Sequence, residues 1–157
     1  MAREVKAGKK FVYSLQSVLK VRAIREKKEQ EKFFQKQKEY YVEKKKEQDI
    51  QDEKVKENEE FKQIAGEGVV DFPKMLARRQ HINVLKDDLD EQIEKVLDAS
   101  KKLDKQRGKL LEAVKDKQIM EKDKENKLDQ YKEVMKQLDI KFMDEIATLR
   151  HARQKAD

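Results

Sequence analysis

The sequence contains no cysteine. That removes disulfide scaffolds, thiolate zinc sites and cysteine nucleophiles at once. It has no tryptophan, one proline and four glycines, so little in it interrupts a helix. Long apolar runs are also missing, and nothing reads as a membrane span. The first residues are basic, but no apolar core of signal-peptide length follows them. The sequence therefore predicts a cytoplasmic protein without direct membrane insertion. Apolar residues are scarce, at 36% of 157. A compact globule of this size usually has about half. Charged residues make up 46%, too many for a three-dimensional core. Either the chain is disordered or it folds as helices that bury only a narrow seam. Regular apolar spacing and the single proline favour the seam.

The formal net charge is +6. Through Lys28 there are nine basic residues against two acidic ones, Glu4 and Glu26. That segment alone carries the excess, and the remainder is close to neutral. A basic end can meet nucleic acid, an acidic membrane surface or an acidic protein pocket. It can equally be a solvated helix start.

The second half of the chain carries the clearer pattern. Alternate steps of four and three from Leu89 pass through Ile93, Val96, Ser100, Leu103, Arg107, Leu110, Val114, Lys117, Glu121, Lys124, Leu128 and Tyr131, then on to Ala152. Thirteen of these nineteen positions are apolar, where composition alone gives about seven. This seven-residue repeat predicts a helix wound on a partner. Glu91–Lys95, Asp98–Lys102 and Asp123–Lys127 stand at i,i+4 in the favourable order. Charges at Lys117, Glu121 and Lys124 predict a local failure of the seam. The first half offers sparser anchors, among them Phe33, Tyr40, Ile50, Val55, Phe61 and Ile64, on a helix too polar to stand alone.

Between the halves lies "GEGVVDFPKM", Gly66–Met75. Gly66 and Gly68 can end a helix in the left-handed conformation. Asp71 offers an N-cap oxygen, and Pro73 suits a first helical turn. The expected fold is all-α: a long antiparallel two-helix coiled-coil hairpin with the second helix longer. Its expected parts are a basic segment 1–10, a first helix 11–65, a tip 66–72 and a second helix 73–157. With the tip near Val69, residue i faces roughly 138 − i. Everything after Leu128 then overhangs, by on the order of 40 Å at 1.5 Å per residue. The overhang is rich in apolar residues, including Leu128, Tyr131, Met135, Leu138, Phe142, Ile146 and Leu149. Such a stripe implies a homodimer or a docked partner.

Nothing in the sequence predicts catalysis. Two lone histidines, His81 and His151, have no ligand-spaced companion. The acidic run Asp87–Glu91 lacks the glycine and spacing of a calcium loop. No phosphate-binding glycine loop is present. The adjacent Tyr40 and Tyr41 make a poor base-stacking platform. The expectation is a non-enzymatic protein with no catalytic residue, cofactor or metal, and with protein partners rather than nucleic acid.

The run "YSLQSVLKVRAIRE" (Tyr13–Glu26) resembles the opening of the FliJ/YscO family of type III export proteins: an aromatic, a leucine, a Val-Leu pair, then a basic–acidic helix. "INVLKDDLDEQIEKVLDASKKLDK" (Ile82–Lys105) resembles that family's second helix, the YscO injectisome branch more than the flagellar one. The resemblance implies a central stalk protein that sits in the cytoplasm, peripheral to a membrane-embedded export apparatus. Its terminal end would insert into the hexameric export ATPase and its tip end would address the export gate membrane protein. Some members also handle export chaperones. Carried onto this sequence, the ATPase contacts would be Tyr13, Leu15, Val18, Leu19, Arg22, Arg25, Leu128, Tyr131, Met135, Leu138, Phe142 and Leu149. The gate contacts would be Phe72, Met75, Leu76, Ile82 and Leu85, with His81 where the family has an aromatic. The rival expectations are a homodimeric coiled-coil scaffold and a basic-ended adaptor for nucleic acid or a membrane surface.

Overall fold

A computed structural model describes residues 10–66 and 71–154. The basic residues 1–9 and tip residues 67–70, Gly68 and Val69 among them, lie outside the described part, as do 155–157. Two helices account for almost all of it: α1, Gln16–Gly66, and α2, Phe72–Gln154, with 51 and 83 residues. They pack against each other antiparallel, so the fold is all-α with the second helix longer.

Local chemistry explains the helix ends. Asp71 caps α2: its Oδ1 accepts from the Lys74 amide at 3.2 Å, and its carbonyl accepts from the Met75 amide at 3.0 Å. Those bonds use donors that a helix start otherwise leaves unpaired. Pro73 falls inside the first turn, where its missing N–H costs nothing. Gly66, the last residue of α1, is not in the left-handed conformation, so α1 does not stop there by the expected glycine twist. Ahead of α1, the Gln16 amide donates to the Tyr13 carbonyl at 3.2 Å in a turn that brings the chain into the helix.

The chain packs as two compact units, Lys27–Glu112 and Met1–Glu26 with Ala113–Asp157. In the first, the α2 seam runs Ile82, Leu85, Leu89, Gln92, Val96, Ala99, Leu103, Gln106, Leu110, in alternate steps of three and four. The α1 seam follows the same rule through Glu29, Phe33, Lys36, Tyr40, Glu43, Glu47, Ile50, Lys54, Glu57, Phe61 and Ile64. Between Leu89 and Leu110, three of the seven positions of the α2 row differ from the sequence expectation. Gln92 is 5% exposed while Ile93, the expected seam residue, is 38% exposed. Likewise Gln106 is buried and Arg107 exposed.

Hydrogen bonding explains that inversion. Gln92 Nε2 donates to the Glu43 carbonyl at 3.0 Å and to its carboxylate at 2.7 Å. Gln106 Nε2 donates in the same way to the carbonyl and carboxylate of Glu29. A buried amide is tolerated when its donors are used. Lys46 first, then Gln92, hold the Glu43 carboxyl below its ordinary range, and Lys32 and Gln106 do the same for Glu29. Further along the unit, Arg78 bridges Glu57 and Glu60 at 2.8 and 2.6 Å. All three expected i,i+4 pairs form, at 2.7, 2.6 and 3.0 Å.

In the second unit the stretch Lys117–Lys124, where the sequence predicts a local failure of the seam, keeps Lys117 and Lys124 half-buried in the row but seats Met120 where Glu121 was expected. The row there is Ala113, Lys117, Met120, Lys124, Lys127, and Ala113 and Met120 are buried. Lys117 pairs with Glu26 across the seam at 3.0 Å. Counting apolar residues through Glu121 missed Met120, one position away.

Candidate functional site

The terminal unit is built on Tyr13. Its ring joins Leu19 and Met120 in a small core, with Phe11 packed against it. The hydroxyl donates to Asp123 Oδ2 at 2.7 Å and approaches the Met120 carbonyl at 3.4 Å. Lys127 Nζ sits 5.5 Å from the Tyr13 ring centre and also pairs with Asp123 at 3.0 Å. The cation over the ring and the carboxylate at the hydroxyl therefore share one cluster. Phe11 meets Tyr131 with ring centres 5.6 Å apart. One turn into α1, Arg22 donates to the Asp116 carbonyl at 3.3 Å, and Arg22 and Arg25 both reach its carboxylate, at 3.2 and 3.4 Å.

The residues carried over from the family resemblance thus divide by place. Tyr13 and Leu19 hold the core of the unit. Arg22 and Arg25 are engaged with Asp116. Leu15 and Val18 are exposed. On α2, Leu128, Tyr131, Met135 and Leu138 are half-buried, whereas Phe142 and Leu149 are 61% and 60% exposed. Ile140 and Met143 join them in the open. The sequence reading missed these two because they stand off the heptad row it followed.

In the unit Lys27–Glu112, Phe72 and Leu76 are exposed and Met75 is half-buried. With Phe61 and Arg79 they line a recess. Ile82 and Leu85 are buried in the seam, taken up by α1. His81 stands beside Glu53 at 3.6 Å. Among the described residues, no group of three or more His, Asp or Glu is placed to hold a metal ion, and no helix is long and apolar enough to cross a membrane.

Burial pushes the Tyr13 hydroxyl up to about 12, helped by the Asp123 hydrogen bond and charge. The Asp123 carboxyl is held low by the Tyr13 and Lys127 hydrogen bonds. A tyrosine with a raised folded pKa adds stability that is complete below its unfolded value of about 10. That stability is lost as pH climbs from about 10 to about 12. Absorbance titration of tyrosinate is expected to show one of the four tyrosines ionising about two pH units late. Tyr13→Phe should remove that phase and Asp123→Asn should bring it down. A titration with no late phase contradicts the arrangement.

These features define a class: an antiparallel two-helix protein with a mixed polar seam, a tyrosine-centred terminal unit and exposed apolar residues on the longer helix. The model of the flagellar FliJ protein family matches residues 11–156, and the chain belongs to the FliJ family. It also resembles the solved structure of a YscO homolog from Chlamydia trachomatis, with a TM-score of 0.58 and 22% identity over 94% of this chain and 99% of that one. At that identity the likeness concerns the fold. No curated protein sequence matches it.

Proposed function

We propose that the protein is a non-enzymatic central stalk of a type III export apparatus, cytoplasmic and peripheral to its membrane-embedded part. In this reading its terminal unit engages the hexameric export ATPase and its Phe72–Leu76 end addresses the export gate membrane protein. Family membership over residues 11–156 is the observation that carries the reading. The surfaces agree with it. Exposed Phe142, Met143 and Leu149 present apolar surface that a ring of subunits could bury. Phe72 and Leu76 offer a second, separate apolar patch, whereas Ile82 and Leu85, which the family resemblance assigns to the same contact, are buried in the seam. Export chaperones are a third class of partner within the same role.

Stalk action is coupling: the protein must favour one arrangement of the ring over another. The test is hydrolysis by the cognate hexameric ATPase with and without the full-length protein. A several-fold rise supports the stalk role. No change, together with a stable dimer of the protein alone, favours a coiled-coil scaffold joined through α2.

A further inference from the structure

The unit Lys27–Glu112 has two unlike flanks beside its seam. Write the seam residues as heptad positions a and d, with Phe33, Tyr40 and Val96 at a, and Glu43 and Gln92 at d. The positions beside them are then e on one flank and g on the other. Antiparallel helices bring g beside g, as His81 and Glu53 show at 3.6 Å, and therefore e beside e. On the g flank every position from Lys32 to Glu60 and from His81 to Lys109 is charged or histidine. The e flank, with the b positions outside it, is of another kind.

Eleven acidic residues lie on α1 between Lys27 and Gly66, and none occupies an e or b position. Those positions hold glutamine, asparagine, lysine and apolar residues instead. Phe34 and Tyr41 stand among them 55% and 62% exposed. Opposite, α2 contributes Ile93 and the exposed Leu97, with Lys86 and Arg107 at e above and below them. The only acids on this side are Asp90 and Asp104, at outer b positions of α2. Among the described residues, the ion pairs joining the helices in this unit use seam and g positions only. The e flank contributes no ion pair between the helices among the described residues.

We infer that this flank is a docking groove for an acidic amphipathic helix of a partner protein. A third helix laid over e and e would cover Phe34, Tyr41, Ile93 and Leu97 with its apolar stripe. Its acidic edges would meet Lys86 and Arg107, and would compete with Glu47 for Lys44, which pairs with it at 2.9 Å. A second copy of this chain does not suit the groove, because those cations would face one another, and like-charge juxtaposition is costly. This inference is independent of the stalk reading.

The test uses the full-length protein and two synthetic helical peptides with leucines at alternate three- and four-residue spacing. One carries glutamate on its flanks and the other lysine. Fluorescence anisotropy is expected to give at least about tenfold tighter binding for the glutamate peptide, weakening as salt is raised. Tyr41→Glu with Leu97→Glu should cost at least about tenfold in affinity. Val42→Glu, which is exposed on the other side of α1, should change nothing. All three sites are exposed, and circular dichroism checks that the helices persist. Equal affinity for both peptides, binding by neither, or binding untouched by Tyr41→Glu with Leu97→Glu overturns the proposal. So does a dimer of the protein, seen in sedimentation, that the same two substitutions dissociate.

Discussion

Removal of residues 128–157 is expected to return the cognate export ATPase to the rate it shows alone. The stalk reading assigns the ring contacts to this part of α2, which carries Phe142, Met143 and Leu149 in the open. Truncation also takes away Tyr131, the partner of Phe11, so loss of activity alone would not separate docking from packing. Substitution does separate them. Phe142→Glu with Leu149→Glu leaves the Tyr13–Met120 core intact, because both residues are more than half exposed. Two anchors of this kind account for at least about tenfold in apparent affinity for the ring. The expected result is a right-shifted stimulation curve and an unchanged urea midpoint. If the truncated protein stimulates as well as the full chain, the assignment of this surface is wrong.

Replacing Gln92, Gln106, Glu43 and Glu29 together by leucine is expected to raise stability and reduce uniqueness. Each leucine adds apolar surface to the seam, on the order of 1 kcal/mol per position for partial burial. No carboxylate or amide is left unpaired, and Lys46 and Lys32, which lose Glu43 and Glu29, are exposed to water. What disappears is directional. Each glutamine donates to both a carbonyl and a carboxylate of one residue on α1, and a slip of one heptad, which sets Ile50 or Lys36 against Gln92, satisfies neither clamp. Single polar seam residues are known to fix register and oligomer state at a cost in stability. The measurement is twofold: the urea midpoint should rise, and distances between spin labels on α1 and α2 within Lys27–Glu112 should broaden from one population to several. A single narrow distance in the leucine variant would show that the clamps do not set register.

Much of the fold was legible from composition and spacing. The only proline and two of the four glycines fall in one decade, so the sequence pointed to two long helices on either side of it. The cap at Asp71 marked the start of the second. The tip position placed Gln92 opposite Lys46 and Gln106 opposite Lys32; the structure pairs them with Glu43 and Glu29, less than one helical turn away. The family, too, was visible in Tyr13–Glu26 and Ile82–Lys105, and the match over residues 11–156 agrees.

What the sequence could not decide was which of two adjacent rows on α2 faces its partner. The rows through Ile93 and through Gln92 both satisfy the three–four step, and the first is the more apolar. Apolar counting sees only what a residue gains by leaving water. Gln92 and Gln106 are buried because Glu43 and Glu29 on the other helix accept their hydrogen bonds, and Lys117 is half-buried because Glu26 meets its charge. The family resemblance assigned Tyr13 to a partner surface, yet Asp123, far along the chain, lets the ring stay buried. Helix content, the single break and antiparallel pairing belong to the sequence, because they depend on local propensity and period. The facing row, and with it the exposure of Phe34 and Tyr41, belong to the tertiary structure, because each buried polar group is stable only beside the partner that folding brings to it.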